Sequence, residues 1–124
     1  VVPNRNMVMI SVAASLAIKN ELDYLWYAAH SGDHEIYPDC RPEFITKMAE
    51  VLSNCDYHKI NFEAPFQDLS KAEIIKVGLD MNLDYSKAWT CYEGKEKPCG
   101  KCSACLERAA SFQANQVNDP LDEL

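Results

Sequence analysis

The chain has 124 residues, 48% of them apolar, and a formal charge of −7. That length supports one hydrophobic core and is short for two ordinary domains. No run of about twenty apolar residues occurs, which argues against a membrane-spanning helix, and the lysines and arginines form no continuous basic stripe, which argues against direct docking on DNA or tRNA and favours a small-molecule partner. The N-terminus has no charged region followed by an apolar block, so no secretory leader is expected. The chain opens at Val1-Val2-Pro3 without a methionine and is expected to be the C-terminal part of a longer protein.

Pro3-Asn4-Arg5-Asn6 reads as a helix entry, its asparagines able to cap exposed N–H groups. An alanine-rich stretch of helical length runs from Met7 to about Lys19. Met7, Val8, Ile10, Val12, Leu16 and Ile18 surround it on more than one side, so broad burial is expected. Ser11, Ala14, Ser15 and Ile18 form a small-residue face suited to close approach to a sheet. Tyr24-Leu25-Trp26-Tyr27-Ala28-Ala29 is a continuous apolar run, read as a strand buried on both faces. Pro42 marks a first helical turn, and Phe44, Ile45, Met48, Val51 and Leu52 recur at helical intervals to about Ser53. His58 to Ala64 alternates as a second strand and stops at Pro65. Ser70-Lys71-Ala72-Glu73 is a capping box, opening a helix through Ile74, Ile75 and Val77 to Gly78. After Cys102 a last helical pattern includes Leu106, Ala109, Ala110 and Phe112.

Alternating helices and strands at this spacing predict an α/β fold with a parallel sheet. Two strands are few for such a layer, which typically has four to six, so further strands are expected from a preceding segment or another chain. The expected organisation is an α/β domain over 1–90, a cysteine knuckle with its helix over 91–114, and a frayed acidic tail over 115–124.

The tightest chemical pattern is Cys91-x7-Cys99-x2-Cys102-x2-Cys105. Overlapping Cys-x-x-Cys steps let neighbouring thiolates turn onto one ion, and Cys91 can close a tetrahedron. Zinc favours four such ligands at about 2.3 Å, and a Cys₄ shell has no open position for water. Pro98 and Gly100 flank Cys99 and supply a tight turn. A disulfide pair or a dithiol redox site are the alternatives. A zinc-type cluster fits a reducing cytoplasm, where Cys40 and Cys55 are free thiols.

Ligands of open parallel sheets bind beyond the carboxyl ends of strands. The segment after the first strand, His30 to Arg41, reads HSGDHEIYPDCR and is longer than a connector of about four to six residues. Arg41 offers a planar donor fork to a carboxylate, and Asp33 and Asp39 can accept from ring amino or imino groups. The alternative is a solvated loop with a local Asp39–Arg41 pair. His30 and His34 are either metal ligands or structural histidines held in one tautomer. Arg5, at a helix start, either meets a phosphate or faces water.

Three blocks together are no longer generic: Val2-Pro3-Asn4-Arg5-Asn6; His30-Ser31-Gly32-Asp33 with Tyr37-Pro38-Asp39-Cys40-Arg41-Pro42-Glu43-Phe44; and Trp89-Thr90-Cys91 with Pro98-Cys99-Gly100-Lys101-Cys102-x-x-Cys105. In this order they resemble the QueC (ExsB-like) family of 7-cyano-7-deazaguanine synthases, to about Asp119-Pro120. Asp68 to Glu73 also fits. The resemblance implies a Rossmann-like sheet of the adenine nucleotide alpha hydrolase type, incomplete here, and a PP-loop ATP pyrophosphatase chemistry. It implies a ligase that makes the nitrile of 7-cyano-7-deazaguanine from 7-carboxy-7-deazaguanine, ammonia and ATP with Mg²⁺. Arg5 and Asn6 would then lie on the nucleotide side and Asp33, Tyr37, Asp39 and Arg41 on the deazapurine side. Cys91, Cys99, Cys102 and Cys105 would hold a structural zinc, with Lys101 reaching an anion from the knuckle.

The family's Ser-Gly-Gly-x-Asp-Ser loop, which cradles the pyrophosphate of ATP, is not among these residues. The chain alone is therefore expected to be inactive, either as a fragment of a full-length synthase or as the C-terminal half of a split one complemented by an N-terminal half. The missing strands and the apolar first helix also suit a homodimer. A tRNA-modifying relative on the same scaffold and a non-catalytic zinc-stabilised binding remnant are the competing readings.

Overall fold

The computed structural model describes residues 2–94 and 96–121. The chain divides into two compact units, Val1–Asp68 and Leu69–Leu124. In the first, helix α1 (Arg5–Lys19) and strand β1 (Tyr24–Trp26) are followed by helix α2 (Pro42–Leu52) and strand β2 (Asn61–Glu63). The two strands pair in parallel, with Leu25 opposite Phe62. α2 is the crossover that parallel pairing requires. The core of this unit gathers Ile10, Ala14 and Ala17 of α1, Ile45, Met48 and Leu52 of α2, and Ile60 and Phe62 of the second strand region. Burying Phe62 rather than leaving it in water is worth about 2 kcal/mol.

Several details depart from the sequence reading for physical reasons. Asn4 stands at the start of α1 with φ 58°, in the left-handed region, and its side chain makes no capping bond. A capping side chain needs an extended backbone to reach the first N–H groups. α1 is buried on one face only: Val8, Met9, Val12 and Leu16 are exposed. α1 packs against β1, as its small-residue face suggested, and Ser11, Ala14, Ser15 and Ile18 also border an open groove whose other wall is Met48, Val51 and Leu52 of α2.

β1 covers half of the apolar run that suggested it. Pleating sends Tyr24 and Trp26 to one face, where both are exposed, Trp26 at 66%. Two-face burial needs a layer on each side, which apolar composition cannot report. β2 is also shorter than the expected 58–64, but its alternation holds: Ile60 and Phe62 are buried, Asn61 and Glu63 exposed. In α2, Pro42 occupies the first turn as expected, while Val51 turns outward.

In the second unit, helix α3 (Lys71–Asp80) packs against helix α4 (Ser103–Ala114). The Ser70–Glu73 capping box forms in both directions. α3 passes through Gly78 instead of stopping there. Gly78 lies against the Tyr85 ring, and the left-handed residue that ends the helix is Asn82, at φ 58°. α3 and α4 thus belong to the same unit, Leu69–Leu124. α4 turns Cys105, Arg108, Ser111 and Phe112 inward and leaves Leu106 exposed. The stretch expected to fray is anchored, since Asp119 and Leu121 are buried; 122–124 lie outside the described residues. Among the described residues no helix is long and apolar enough to cross a membrane.

Candidate functional site

Two regions carry chemistry, one in each unit. In the first, the Tyr27 N–H donates to the Glu63 carbonyl at 2.8 Å, extending the ladder one residue past β1 before the chain enters the His30–Arg41 loop. Two single 3₁₀ turns, Ser31–Asp33 and Pro38–Cys40, fold that loop. His30 is 6% exposed. Its Nδ1 accepts from the Gly32 N–H at 3.2 Å, and its Nε2 lies 3.2 Å from Asp33 Oδ2. Both ring nitrogens are thus committed within the loop, which favours the structural reading of His30 over metal ligation. His34 contributes its carbonyl, which accepts from Arg41 Nε at 2.8 Å. That bond, and not an Asp39–Arg41 pair, orients Arg41.

Tyr27 closes the other end of the loop. Its ring stacks on Phe62, centroids 6.0 Å apart, and its hydroxyl donates to the Asp39 carbonyl at 3.3 Å and contacts Cys40 Sγ at 3.4 Å. Burial, reinforced by Cys40 and by the Asp39 and Asp33 charges, holds the Tyr27 phenol far above its usual range. It is a fixed donor. Burial likewise raises the Cys40 thiol; the Tyr27 bond and the Arg5 charge pull it down, while Asp33 and Asp39 add to the rise. Cys40 therefore stays a thiol, a poor nucleophile. The same balance brings Arg5, at the start of α1, within electrostatic reach of the loop. Arg5, Tyr37 and Arg41 are exposed, and Asn6, Asp33 and Asp39 are half-buried.

The second region is the cysteine knuckle. The four sulfurs of Cys91, Cys99, Cys102 and Cys105 all lie within 4.8 Å of one another. A tetrahedron with bonds of about 2.3 Å sets its sulfurs roughly 3.8 Å apart, and Cys99 Sγ and Cys105 Sγ are separated by 3.9 Å. All six cysteines are free in this structure. Among the described residues this is the one cluster of three or more His, Cys, Asp or Glu donors able to hold an ion. The donor set fits a metal such as zinc, and His30 and His34 take no part in it.

Backbone N–H groups prepare the sulfurs for such an ion. Gly94 and Cys99 donate to Cys91 Sγ at 2.9 and 3.3 Å, and Cys102 donates to Cys99 Sγ at 3.3 Å. The Cys99 N–H is the largest influence on Cys91, whose thiol is held down to about 6 against the opposing effect of burial. Burial pushes the Cys105 thiol up. Cys102 stands at the N-terminal cap of α4, where the helix dipole favours a thiolate. Gly100 has φ +67°, which glycine adopts without strain. A Cβ on Gly94 would come within 2.6 Å of the Lys97 carbonyl and 3.0 Å of Cys91 Sγ. The sequence reading anticipated Gly100 and missed Gly94. Lys101 is exposed beside Cys102.

Sequence reasoning also missed the clamp that supports this unit. Arg108 and Asp119 form a buried fork-to-fork pair, with Arg108 Nη2 donating to Asp119 Oδ1 at 2.7 Å. The same guanidinium donates to the Tyr85 and Ala88 carbonyls and sits 5.1 Å from the Phe112 ring centroid. It thereby ties α4, the tail and the segment leading to Cys91. Tyr27 carried a weak signal, being at a strand's carboxyl end; the Arg108–Asp119 pairing carried none.

Residues 1–116 match the family described as queuosine biosynthesis protein QueC. The chain is 50% identical over 121 residues to a 7-cyano-7-deazaguanine synthase of Marinobacter nauticus, covering 98% of this chain and 55% of that protein. It is 51% identical over 121 residues to 7-cyano-7-deazaguanine synthase 2 of Colwellia psychrerythraea, again 98% of this chain and 55% of that protein. With the synthase of Marinomonas sp. it shares 52% over 122 residues, 98% of this chain and 56% of that protein. The chain thus spans about half the length of the curated relatives it matches. It belongs to the QueC family of queuosine biosynthesis proteins.

Proposed function

We propose that this chain supplies the substrate loop and a structural zinc site of an ATP-dependent nitrile-forming ligase, which converts 7-carboxy-7-deazaguanine and ammonia to 7-cyano-7-deazaguanine. One observation carries the reading: about half of the residues are identical, over 98% of the chain, to relatives bearing that synthase name. In this proposal the two-stranded sheet is part of a larger Rossmann-like sheet, and the pyrophosphate-cradling loop lies outside these 124 residues.

The chemistry follows two activations. The substrate carboxylate attacks the α-phosphorus of ATP and pyrophosphate leaves. Ammonia adds to the acyl carbon, AMP departs, and a proton is lost, giving the amide. The amide oxygen then attacks a second α-phosphorus, again releasing pyrophosphate. Loss of two N–H protons and cleavage of the C–O bond expel AMP with that oxygen and leave the nitrile. No protein nucleophile is needed; orientation and charge neutralisation carry such steps. Arg41 neutralises the substrate carboxylate, Asp33 and Asp39 accept from ring donors, and Tyr37 borders the ring. Arg5 and Asn6 serve the nucleotide, and Lys101 serves an anion. A zinc ion on the four cysteines supplies rigidity to the knuckle.

The natural polypeptide carrying these residues, given 7-carboxy-7-deazaguanine, ammonia and ATP, is expected to yield the nitrile and AMP by mass spectrometry. Zinc-loaded, folded protein that consumes no substrate under these conditions contradicts the proposal.

A further inference from the structure

His30 has no role in the reaction as drawn, yet it is the buried polar residue of the loop. The Gly32 N–H is a donor and cannot exchange roles, so His30 Nδ1, at 3.2 Å, must offer its lone pair. The proton of the neutral ring is then on Nε2, which faces Asp33 Oδ2 at 3.2 Å. The chain reinforces this placement: the Asp33 N–H donates to the His30 carbonyl at 3.0 Å, and the Tyr37 N–H to the Asp33 carbonyl at 2.8 Å. The Asp33 side chain stays 28% exposed. A neutral donor orients a carboxylate without cancelling its charge, as a lysine or arginine in the same place would.

We propose that His30, held in the Nε2–H tautomer, is a positioning residue that presents Asp33 as an oriented, ionised acceptor for a ring N–H or amino group of the substrate. The identity of that substrate rests on the function proposed above; the tautomer and the His30–Asp33 bond do not.

The natural-length protein tests this with His30→Gln, His30→Asn and His30→Ala. A glutamine amide can still reach Asp33 but not accept from Gly32; an asparagine can accept from Gly32 but not reach Asp33. Positioning predicts that Asn and Ala raise KM for 7-carboxy-7-deazaguanine about tenfold, the scale of one hydrogen bond to a charged group, with kcat little changed, while Gln largely restores KM. In an Asp33→Asn background the three substitutions should add nothing. Restoration by Asn and not by Gln, or unchanged KM in all three, overturns the proposal. A second readout needs neither turnover nor a variant: nitrogen-15 NMR of His30 should show Nδ1 unprotonated and Nε2 protonated, and the Nδ1–H tautomer overturns the proposal. Wild-type protein that makes no nitrile but shows the expected tautomer defeats the functional reading and leaves the His30–Asp33 bond standing.

Discussion

The His30–Arg41 loop and the Cys91–Cys105 knuckle are both irregular, and they are held by opposite strategies. The knuckle uses four identical donors within fifteen residues, each a soft ligand aimed at one point, with backbone N–H groups supporting the sulfurs. The loop uses different groups, each making a different bond. His30 holds Asp33, the His34 carbonyl holds Arg41, and Tyr27, twelve residues before Asp39, holds the far turn. A shell of four cysteines leaves an ion no position for substrate. The loop instead leaves Arg41 and Tyr37 exposed. The proposed roles are divided accordingly: stabilisation for the knuckle and recognition for the loop.

The largest effect expected from that contrast comes from breaking the knuckle. Cys102→Ser, or prolonged chelation at mildly acid pH, should release the ion and unfold the 91–105 segment. Structural zinc contributes on the order of 10 kcal/mol in small zinc domains, so no partial phenotype is expected. Amide hydrogen exchange should lose protection there, while α1, α2 and the two strands keep theirs. Retained protection at Cys99 and Cys102 in metal-free protein would break the comparison.

Next in size is the Arg108–Asp119 clamp. Asp119→Ala leaves a buried guanidinium without its partner, which costs about 3 kcal/mol and is measurable as a lower urea midpoint. Burial opposes ionisation of Asp119, but the Arg108 bonds, the Leu121 N–H and the Arg108 charge outweigh it, so its carboxyl is held below the ordinary 3.8. A carboxylate whose folded value is depressed contributes stability above its unfolded value and loses it as pH falls through the folded one. The contribution should therefore be complete at neutral pH and disappear only below about pH 4. Asp119→Asn should flatten that acid limb of the stability curve. An unchanged acid limb would show that the clamp does not control it.

The smallest effect on folding, and the sharpest test of the division, is Arg41→Ala. Arg41 is exposed and bonds one carbonyl, so stability should change by less than about 1 kcal/mol. Affinity for 7-carboxy-7-deazaguanine should fall about tenfold or more, as expected for a lost charge-assisted contact of 1.5–3 kcal/mol. Unchanged affinity in folded protein would remove the loop from the substrate site.

What was legible in the sequence follows the range of each interaction. The Ser70–Glu73 capping box, the Pro42 first turn and the cysteine spacing are complete within a few residues, and all three appear in the structure. The β2 alternation was legible because its polar residues mark the exposed face. α1 and β1 were misread because an apolar residue does not say whether another layer covers it: Val12, Leu16 and Trp26 are exposed. Asn4 was misread because capping depends on backbone angles that residue identity does not set. The tail was misread because Asp119 is fixed by Arg108, eleven residues away, and a lone aspartate beside Pro120 resembles any solvated end.

The division of labour rests on the knuckle being a closed, four-sulfur site. X-ray absorption with elemental analysis of the natural protein measures that directly. One zinc per chain, with four sulfurs at about 2.3 Å and no nitrogen or oxygen neighbour, is the predicted result. A mixed sulfur and oxygen shell would place an open metal position in the knuckle and contradict its purely structural role.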